Sequence, residues 1–138
     1  MGLGRVLVVD DEADIRKVLR LTLIKAGYDV VEAEDGEKGV VIIQKSDGYA
    51  MPVDVIICDL CMPRMNGVEA IAYFRSQFPA VPVIVLTGSP DLQKAELLKR
   101  EHGVTDYLIK PIQPEQLLAA IRSAAFQKAV KGRVFFAT

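Results

Sequence analysis

The strongest constraint on the fold is one short apolar segment in the middle of the chain. Residues Val55 to Cys58 are apolar without interruption, and the run ends at the carboxylate of Asp59. A continuous apolar run of this length is typical of a strand that is buried on both faces, as in a parallel sheet. Asp59 then lies at the carboxyl end of the strand, where open α/β sheets carry their ligand sites. We therefore predict that Asp59 is a nucleophile and that the rest of the chain presents it.

Apolar segments that suit strands alternate along the chain with segments whose apolar residues have helical spacing. The predicted strands span residues 5–9, 28–33, 53–59, 81–86 and 105–109. The predicted helices span residues 14–26, 37–45, 68–77 and 91–102, and a last helix begins at Pro114. Asp91 is the expected N-cap of the fourth helix, and Gly103 is expected to end it. Residues 40–43 also suit a strand, but a helix there keeps the alternation intact. This alternation predicts right-handed crossovers and a parallel sheet with helices on both faces.

The length of 138 residues suits one domain with a sizeable core. The formal net charge of −1 gives no reason to expect a nucleic-acid or membrane partner. No apolar run approaches the ~20 residues of a membrane helix, and the opening residues do not resemble a signal peptide, so we expect the cytoplasm. We assign residues 1–127 to the domain. Three alternatives stay open for residues 128–138, which could form a docked tail, the start of a linker or a disordered end.

Polar side chains follow four of the five predicted strands. They are Asp10 and Asp11 after the first strand, Asp59 after the third, Thr87 after the fourth and Lys110 after the fifth. If the first and third strands are neighbours, these groups converge, and close carboxylates repel one another unless a cation joins them. Mg²⁺ uses one or two carboxylates and takes further ligands from phosphate oxygens and water. The pattern predicts an Mg²⁺ site completed by a phosphoryl group, which Asp59 attacks while Lys110 and Thr87 contact the phosphoryl oxygens.

Four motifs carry a resemblance to a known family. They are Val8 to Glu12, Asp59 to Gly67, Leu86 to Gly88 and Asp106 to Pro111. Together and in this order they make the chain resemble the receiver domain of two-component response regulators, over residues 5–127. The resemblance implies a flavodoxin-like (βα)5 fold, a doubly wound parallel five-stranded sheet with strand order 2-1-3-4-5. It also implies that Asp59 accepts a phosphoryl group from a histidine kinase or a histidine phosphotransfer protein.

The resemblance assigns further roles around Asp59. It implies that Mg²⁺ is held by Asp11, by Asp59 and by the backbone carbonyl of Cys61, with Asp10 acting mainly through water. It implies that Lys110 pairs with the acidic site and that the Lys110–Pro111 peptide bond is cis.

The family's conformational switch is also implied. Thr87 would move toward the phosphoryl oxygens, and Tyr107 would turn inward and change the surface around it. Ile15 and Pro111 match positions where such domains meet the kinase. The only reaction expected is the Mg²⁺-dependent phosphorylation and dephosphorylation of the chain itself, not an enzymatic reaction on a separate substrate.

Other functions remain to be weighed against this one. A flavodoxin has the same fold but needs a phosphate-binding loop after the first strand, where the carboxylates of residues 10–12 would repel a phosphate. A phosphatase with a D-x-D motif would need an Asp where Cys61 stands. A redox or zinc site at Cys58 and Cys61 lacks further ligands and would begin inside a buried strand.

Some features of the sequence also have explanations that need no phosphorylation. Acidic residues at 10–12 also suit a helix N-terminus, because of the helix dipole. An interaction domain that signals without phosphorylation is a further alternative, although such receivers lose an acidic residue or the Lys that this chain keeps. The output partner or domain is unknown, and the sequence suits both a single-domain regulator and part of a longer one.

Overall fold

A computed structural model of the chain describes residues 3–46, 52–60, 67–88 and 91–137, with the backbone alone at residue 46 and from residue 126 onward. Five strands and five helices alternate along it. The strands are β1 (Arg5–Val9), β2 (Asp29–Ala33), β3 (Val55–Asp59), β4 (Val83–Thr87) and β5 (Asp106–Ile109). The helices are α1 (Ala13–Lys25), α2 (Gly36–Ser46), α3 (Gly67–Gln77), α4 (Leu92–His102) and α5 (Pro114–Ala137).

The strands form one parallel sheet in the order β2-β1-β3-β4-β5, so the predicted fold class is confirmed. Val9 of β1 pairs with Cys58 of β3, which makes the next residues, Asp10 and Asp59, neighbours. Thr87 of β4 pairs with Ile109 of β5. The carboxyl ends of these four strands therefore meet at one edge of the sheet.

Two core clusters cover the two faces of the sheet. Alternate residues of β3 divide between them: Ile56 and Cys58 pack toward α2, α3 and α4, whereas Val55 and Ile57 pack toward α1 and α5. All five residues of β3 and all five of β4 are buried. Burial on both faces explains why these strands read as unbroken apolar runs rather than as alternating ones.

Four strands differ from the prediction by one or two residues, and β2 and β5 simply begin one residue later, at Asp29 and Asp106. β3 begins at Val55 and not at Val53, and Asp54 instead closes the preceding loop, because its carboxylate accepts a hydrogen bond from the Arg5 N–H at 2.8 Å. β4 spans Val83 to Thr87 rather than residues 81–86, since the N–H of Val81 donates to a turn at Phe78. Asp59 and Thr87 are therefore the last residues of their strands.

Helix α4 has the ends that its sequence predicts. The Asp91 carboxylate accepts hydrogen bonds from the backbone N–H groups of Gln93 and Lys94. Gly103 ends the helix in the left-handed conformation, with a φ of +62°. A side-chain cap and a left-handed glycine satisfy backbone groups that the helix itself leaves without partners.

Helix α5 is the longest element, with 24 residues from Pro114 to Ala137. The predicted boundary between residues 127 and 128 lies inside it, and the backbone there continues as a helix. In the part of the chain that the structure describes, no helix combines the length and the apolar character needed to cross a membrane.

Candidate functional site

Four carboxylates gather at the carboxyl edge of the sheet. Asp10, Asp11, Glu12 and Asp59 each offer an oxygen, and these oxygens all lie within 4.8 Å of one another. Asp10 and Asp59 are buried, with 0% and 2% of their surface exposed, while Asp11 and Glu12 are exposed. Two carboxylates therefore form the floor of the site and two stand at its mouth.

The side chain of Lys110 reaches three of these carboxylates. Its Nζ lies 3.0 Å from Asp10 Oδ2, 3.0 Å from Glu12 Oε1 and 3.4 Å from Asp59 Oδ2. Burial lowers the pKa of Lys110, but the contacts with the carboxylates of Asp10, Glu12 and Asp59 outweigh burial and raise it. Lys110 is therefore charged at neutral pH.

The backbone holds Lys110 at this place. Its N–H donates to the Thr87 carbonyl oxygen at 2.7 Å, and the peptide bond that follows, Lys110–Pro111, is cis, as the resemblance implied.

Asp10 is a buried carboxylate that is held from two sides. Its Oδ1 accepts a hydrogen bond from the Glu12 N–H at 2.8 Å. Its Oδ2 pairs with Lys110 by charge but lacks a hydrogen-bond donor of suitable geometry among the described residues. Burial raises the pKa of Asp10 above the usual 3.8, and the hydrogen bond from Glu12 and the contact with Lys110 only partly offset it. A buried carboxylate oxygen with spare acceptor capacity, in a cluster made of oxygen atoms, fits a hard divalent cation such as Mg²⁺.

Two predicted switch residues lie beside the site. Thr87 is fully buried at the end of β4. Tyr107 pairs with Val85 in the sheet and packs against the core cluster on the side of α4. The Tyr107 hydroxyl is buried, and no hydrogen-bond partner is found for it in the described part of the chain. The tyrosine ring is therefore directed inward in this structure.

Helix α3 begins directly against the end of β3. The Gly67 N–H donates to the Leu60 carbonyl oxygen at 3.0 Å. A Cβ at Gly67 would lie 2.3 Å from the Asp59 carbonyl oxygen and 2.4 Å from Leu60 Cα, so only glycine fits here without movement. Cys61, whose carbonyl was predicted to bind the cation, lies outside the described residues.

The remaining predicted residues lie at the rim or in the core. Ile15 is half-buried and packs against the core cluster under α1, while Pro111 is exposed. Cys58 is fully buried in β3, and burial raises the pKa of its thiol, so it is an unreactive core residue. Within the described ranges, the one group of candidate metal ligands is the acidic group.

Two residues of the site were not singled out from the sequence. Glu12 contributes a carboxylate to the cluster and contacts Lys110, and its position beside Asp11 was the available signal. Arg16 donates from Nη1 to the Asp10 carbonyl oxygen at 2.6 Å. Arg16 lies one helical turn after Glu12, but this spacing does not by itself predict the contact with Asp10. The contact depends on the direction in which α1 leaves the sheet.

Comparison with known proteins agrees with the fold. A family model described as the response regulator receiver domain matches residues 6–122. The chain belongs to the response regulator receiver domain family. Membership favours the receiver interpretation over the flavodoxin and phosphatase alternatives.

Among solved structures, a response regulator receiver domain protein from Clostridium thermocellum has 31% sequence identity and a TM-score of 0.85, covering 93% of this chain and 98% of that one. The chemotaxis protein CheY4 of Vibrio cholerae has 36% identity and a TM-score of 0.78, covering 89% and 99% of the two chains.

Among curated proteins, the probable transcriptional regulator ycf27 of Guillardia theta is 40% identical over 119 residues, which are 86% of this chain and 44% of that protein. The alkaline phosphatase synthesis transcriptional regulatory protein PhoP of Bacillus subtilis is 34% identical, over 86% of this chain and 47% of that protein. The chain spans less than half the length of these relatives.

Proposed function

We propose that the chain is a phosphoacceptor switch of a two-component phosphorelay, in which Asp59 receives a phosphoryl group from a histidine kinase or a histidine phosphotransfer protein. The observation that carries the proposal is the contact of Lys110 with Asp59, Asp10 and Glu12 at the end of β3. One ammonium group among several carboxylates leaves an excess of negative charge. Such a site suits a divalent cation and a phosphoryl group together.

The residues that would hold Mg²⁺ are Asp10, Asp11 and Asp59, with the Cys61 carbonyl as a further ligand implied by the family. When bound, the cation would neutralise the carboxylates and the phosphoryl oxygens. The donor set fits this role, because it consists of carboxylate oxygens, two of which belong to buried residues. Glu12 lies at the mouth of the site and shares Lys110 with Asp59.

The reaction needs little covalent chemistry from the protein. A carboxylate oxygen of Asp59 forms a bond to phosphorus, and the bond between phosphorus and the donor's imidazole nitrogen breaks, with the electron pair staying on nitrogen. Lys110 contributes its charge to a phosphoryl oxygen, and the Thr87 hydroxyl donates a hydrogen bond to another. Hydrolysis later returns Asp59 to a carboxylate, so the chain acts on itself and on no separate substrate.

The readout that we propose passes from Thr87 to Tyr107. Thr87 ends β4, and Tyr107 lies on the paired strand β5, two residues before the partner of Thr87, Ile109; the Tyr107 hydroxyl is buried without a hydrogen bond among the described residues. A buried hydroxyl without a partner is destabilising by about 1–3 kcal/mol. The inward position of Tyr107 is therefore sensitive to small movements of its surroundings, as a switch requires.

The partners in this proposal are a kinase or phosphotransfer protein and a reader of the altered surface. The names of the curated relatives describe transcriptional regulators. By analogy we propose that an output domain or partner protein reads the phosphorylated state, in the cytoplasm and without nucleic-acid or membrane contact by residues 1–127.

Intact mass after incubation with Mg²⁺ and acetyl phosphate tests the proposal. We expect the mass of one added phosphoryl group, which is absent with EDTA and in Asp59→Asn. Asp14→Asn is the matched control, because Asp14 is an exposed carboxylate in the first turn of α1, and it should gain the group as the wild type does. A gain that persists in Asp59→Asn would show a different acceptor. If acetyl phosphate and a broad panel of histidine kinases all fail, an interaction domain that works without phosphorylation becomes the better proposal.

A further inference from the structure

Arg16 connects the acidic site to strand β2. Its Nη1 donates to the Asp10 carbonyl oxygen at 2.6 Å, and its Nε lies 3.4 Å from Glu32 Oε1. The Arg16 side chain is only 17% exposed. Glu32 belongs to β2, so one guanidinium group joins the end of β1 to the neighbouring strand.

The Asp10 carbonyl belongs to the peptide group that joins Asp10 to Asp11, where the chain leaves the sheet. Other parts of Asp10 are held separately: its N–H donates to the Ala33 carbonyl at 3.1 Å, its Oδ1 accepts from the Glu12 N–H at 2.8 Å, and its Oδ2 lies 3.0 Å from Lys110 Nζ. The Arg16 contact holds the backbone carbonyl. The orientation of this peptide determines where the exposed carboxylate of Asp11 stands relative to Asp10 and Asp59.

We infer that Arg16 is a positioning residue for the cation-binding carboxylates, acting through the peptide between Asp10 and Asp11 and held in place by Glu32. This inference rests on the proposed function. Charged donors to backbone oxygens are among the stronger hydrogen bonds in proteins, and groups that orient metal ligands tune metal affinity.

The direction of the effect separates positioning from simple electrostatics. The positive charge of Arg16 repels a cation. If this repulsion were the whole effect, removing the charge would tighten Mg²⁺ binding. Loss of positioning would weaken Mg²⁺ binding, because the carboxylates would then be free to separate. The two explanations predict opposite signs for the same substitution.

Arg20 offers a matched control. It lies one helical turn beyond Arg16 on α1, and its Nη1 lies 2.6 Å from Glu32 Oε2. It therefore has the same charge and shares the same carboxylate partner, whereas the contact with the Asp10 carbonyl is made by Arg16. Replacing either arginine by methionine removes one positive charge and one contact with Glu32.

The test measures Mg²⁺ affinity by isothermal titration calorimetry in the wild type, Arg16→Met and Arg20→Met. We expect Arg16→Met to weaken Mg²⁺ binding about tenfold, as loss of a group that orients metal ligands typically does. Arg20→Met should bind Mg²⁺ as the wild type does. In parallel, the Mg²⁺ concentration for half-maximal phosphorylation of Asp59 by acetyl phosphate should rise in Arg16→Met, while the rate at saturating Mg²⁺ should stay near that of the wild type.

Unchanged or tighter Mg²⁺ binding in Arg16→Met would overturn the inference, and so would an equal loss in Arg20→Met. If Arg16→Met does not fold, the Mg²⁺ affinity of Arg16→Lys is measured instead. This variant keeps the charge but lacks the guanidinium that contacts Asp10 and Glu32 together. Wild-type Mg²⁺ affinity in Arg16→Lys would also overturn the inference. A wild type that neither binds Mg²⁺ nor is phosphorylated would remove the proposed function and this inference together. Wild-type binding with an unaffected Arg16→Met would remove this inference alone.

Discussion

The charge balance around Asp10 suits the proposed cation at the expense of the stability of the folded protein. Asp10 is fully buried, and Lys110 divides its charge among three carboxylates. Burial therefore raises the pKa of Asp10, which means that the ionised form is less stable in the folded protein than in the unfolded one. Functional sites commonly keep such groups because the ligand compensates for them.

We predict that Asp10→Asn stabilises the metal-free protein at pH 7, by about 1 kcal/mol in the free energy of unfolding. A carboxylate whose pKa is raised in the folded state favours folding only while it is protonated, so its stabilising contribution is lost as the pH rises above the usual 3.8. The advantage of Asp10→Asn should therefore disappear in acid and be complete at neutral pH. Urea denaturation in EDTA across this range measures it.

Asp14→Asn is the control for this comparison, because Asp14 is exposed. A less stable Asp10→Asn at neutral pH would mean that the contact with Lys110 outweighs the effect of burial on Asp10.

The start of helix α3 depends on a residue without a side chain. At Gly67 the helix touches the backbone of residues 59 and 60, as close as backbone atoms permit. At Gly88, after β4, an added Cβ would meet Lys110 Cδ alone among the described residues, at 3.8 Å, which is an ordinary contact. The two glycines lie near the same site but differ in what surrounds them.

We predict that Gly67→Ala destabilises the protein by about 1–3 kcal/mol, as overpacking of a tight contact does, and slows phosphorylation of Asp59 because the end of β3 must shift. Gly88→Ala should leave both properties close to those of the wild type. The two variants are compared with the wild type by thermal unfolding and by the rate of phosphorylation by acetyl phosphate. Equal behaviour of the two variants would show that α3 moves away at little cost.

The proposed cation site involves the whole domain, because its candidate ligands belong to different strands. Asp10 and Asp11 follow β1 and Asp59 ends β3, and these strands lie in the middle of the sheet between the two core clusters. The unfolded chain does not hold these carboxylates together. A cation that needs all of them therefore binds the folded state and stabilises it.

We predict that Mg²⁺ raises the melting temperature, with a stabilisation of about 2.7 kcal/mol when its concentration is a hundred times its Kd. Calorimetry at constant ionic strength, with Na⁺ replacing Mg²⁺, separates binding from screening of the acidic cluster. Asp59→Asn should reduce the shift, because it removes a charged ligand. An equal shift in Asp59→Asn and the wild type would place the cation elsewhere.

The order of elements and the residues at the strand ends follow from the sequence. A strand buried on both faces must be apolar throughout, and a polar residue at its end is visible in a single chain, as at Asp59 and Thr87. The alternation of elements predicted the helix at residues 37–45, which the structure has at Gly36–Ser46, and local pattern predicted the Asp91 cap and the end of α4 at Gly103.

The partners of these residues depend on contacts between distant parts of the chain. Lys110 contacts Glu12 across 98 positions, and Arg16 contacts Glu32 because β1 and β2 are neighbours in the sheet. Ile15, which the resemblance places at a partner surface, is half-buried and packs partly against the core. Periodicity and strand composition are local properties, whereas contacts across strands and helices exist only after the sheet has brought its carboxyl ends together.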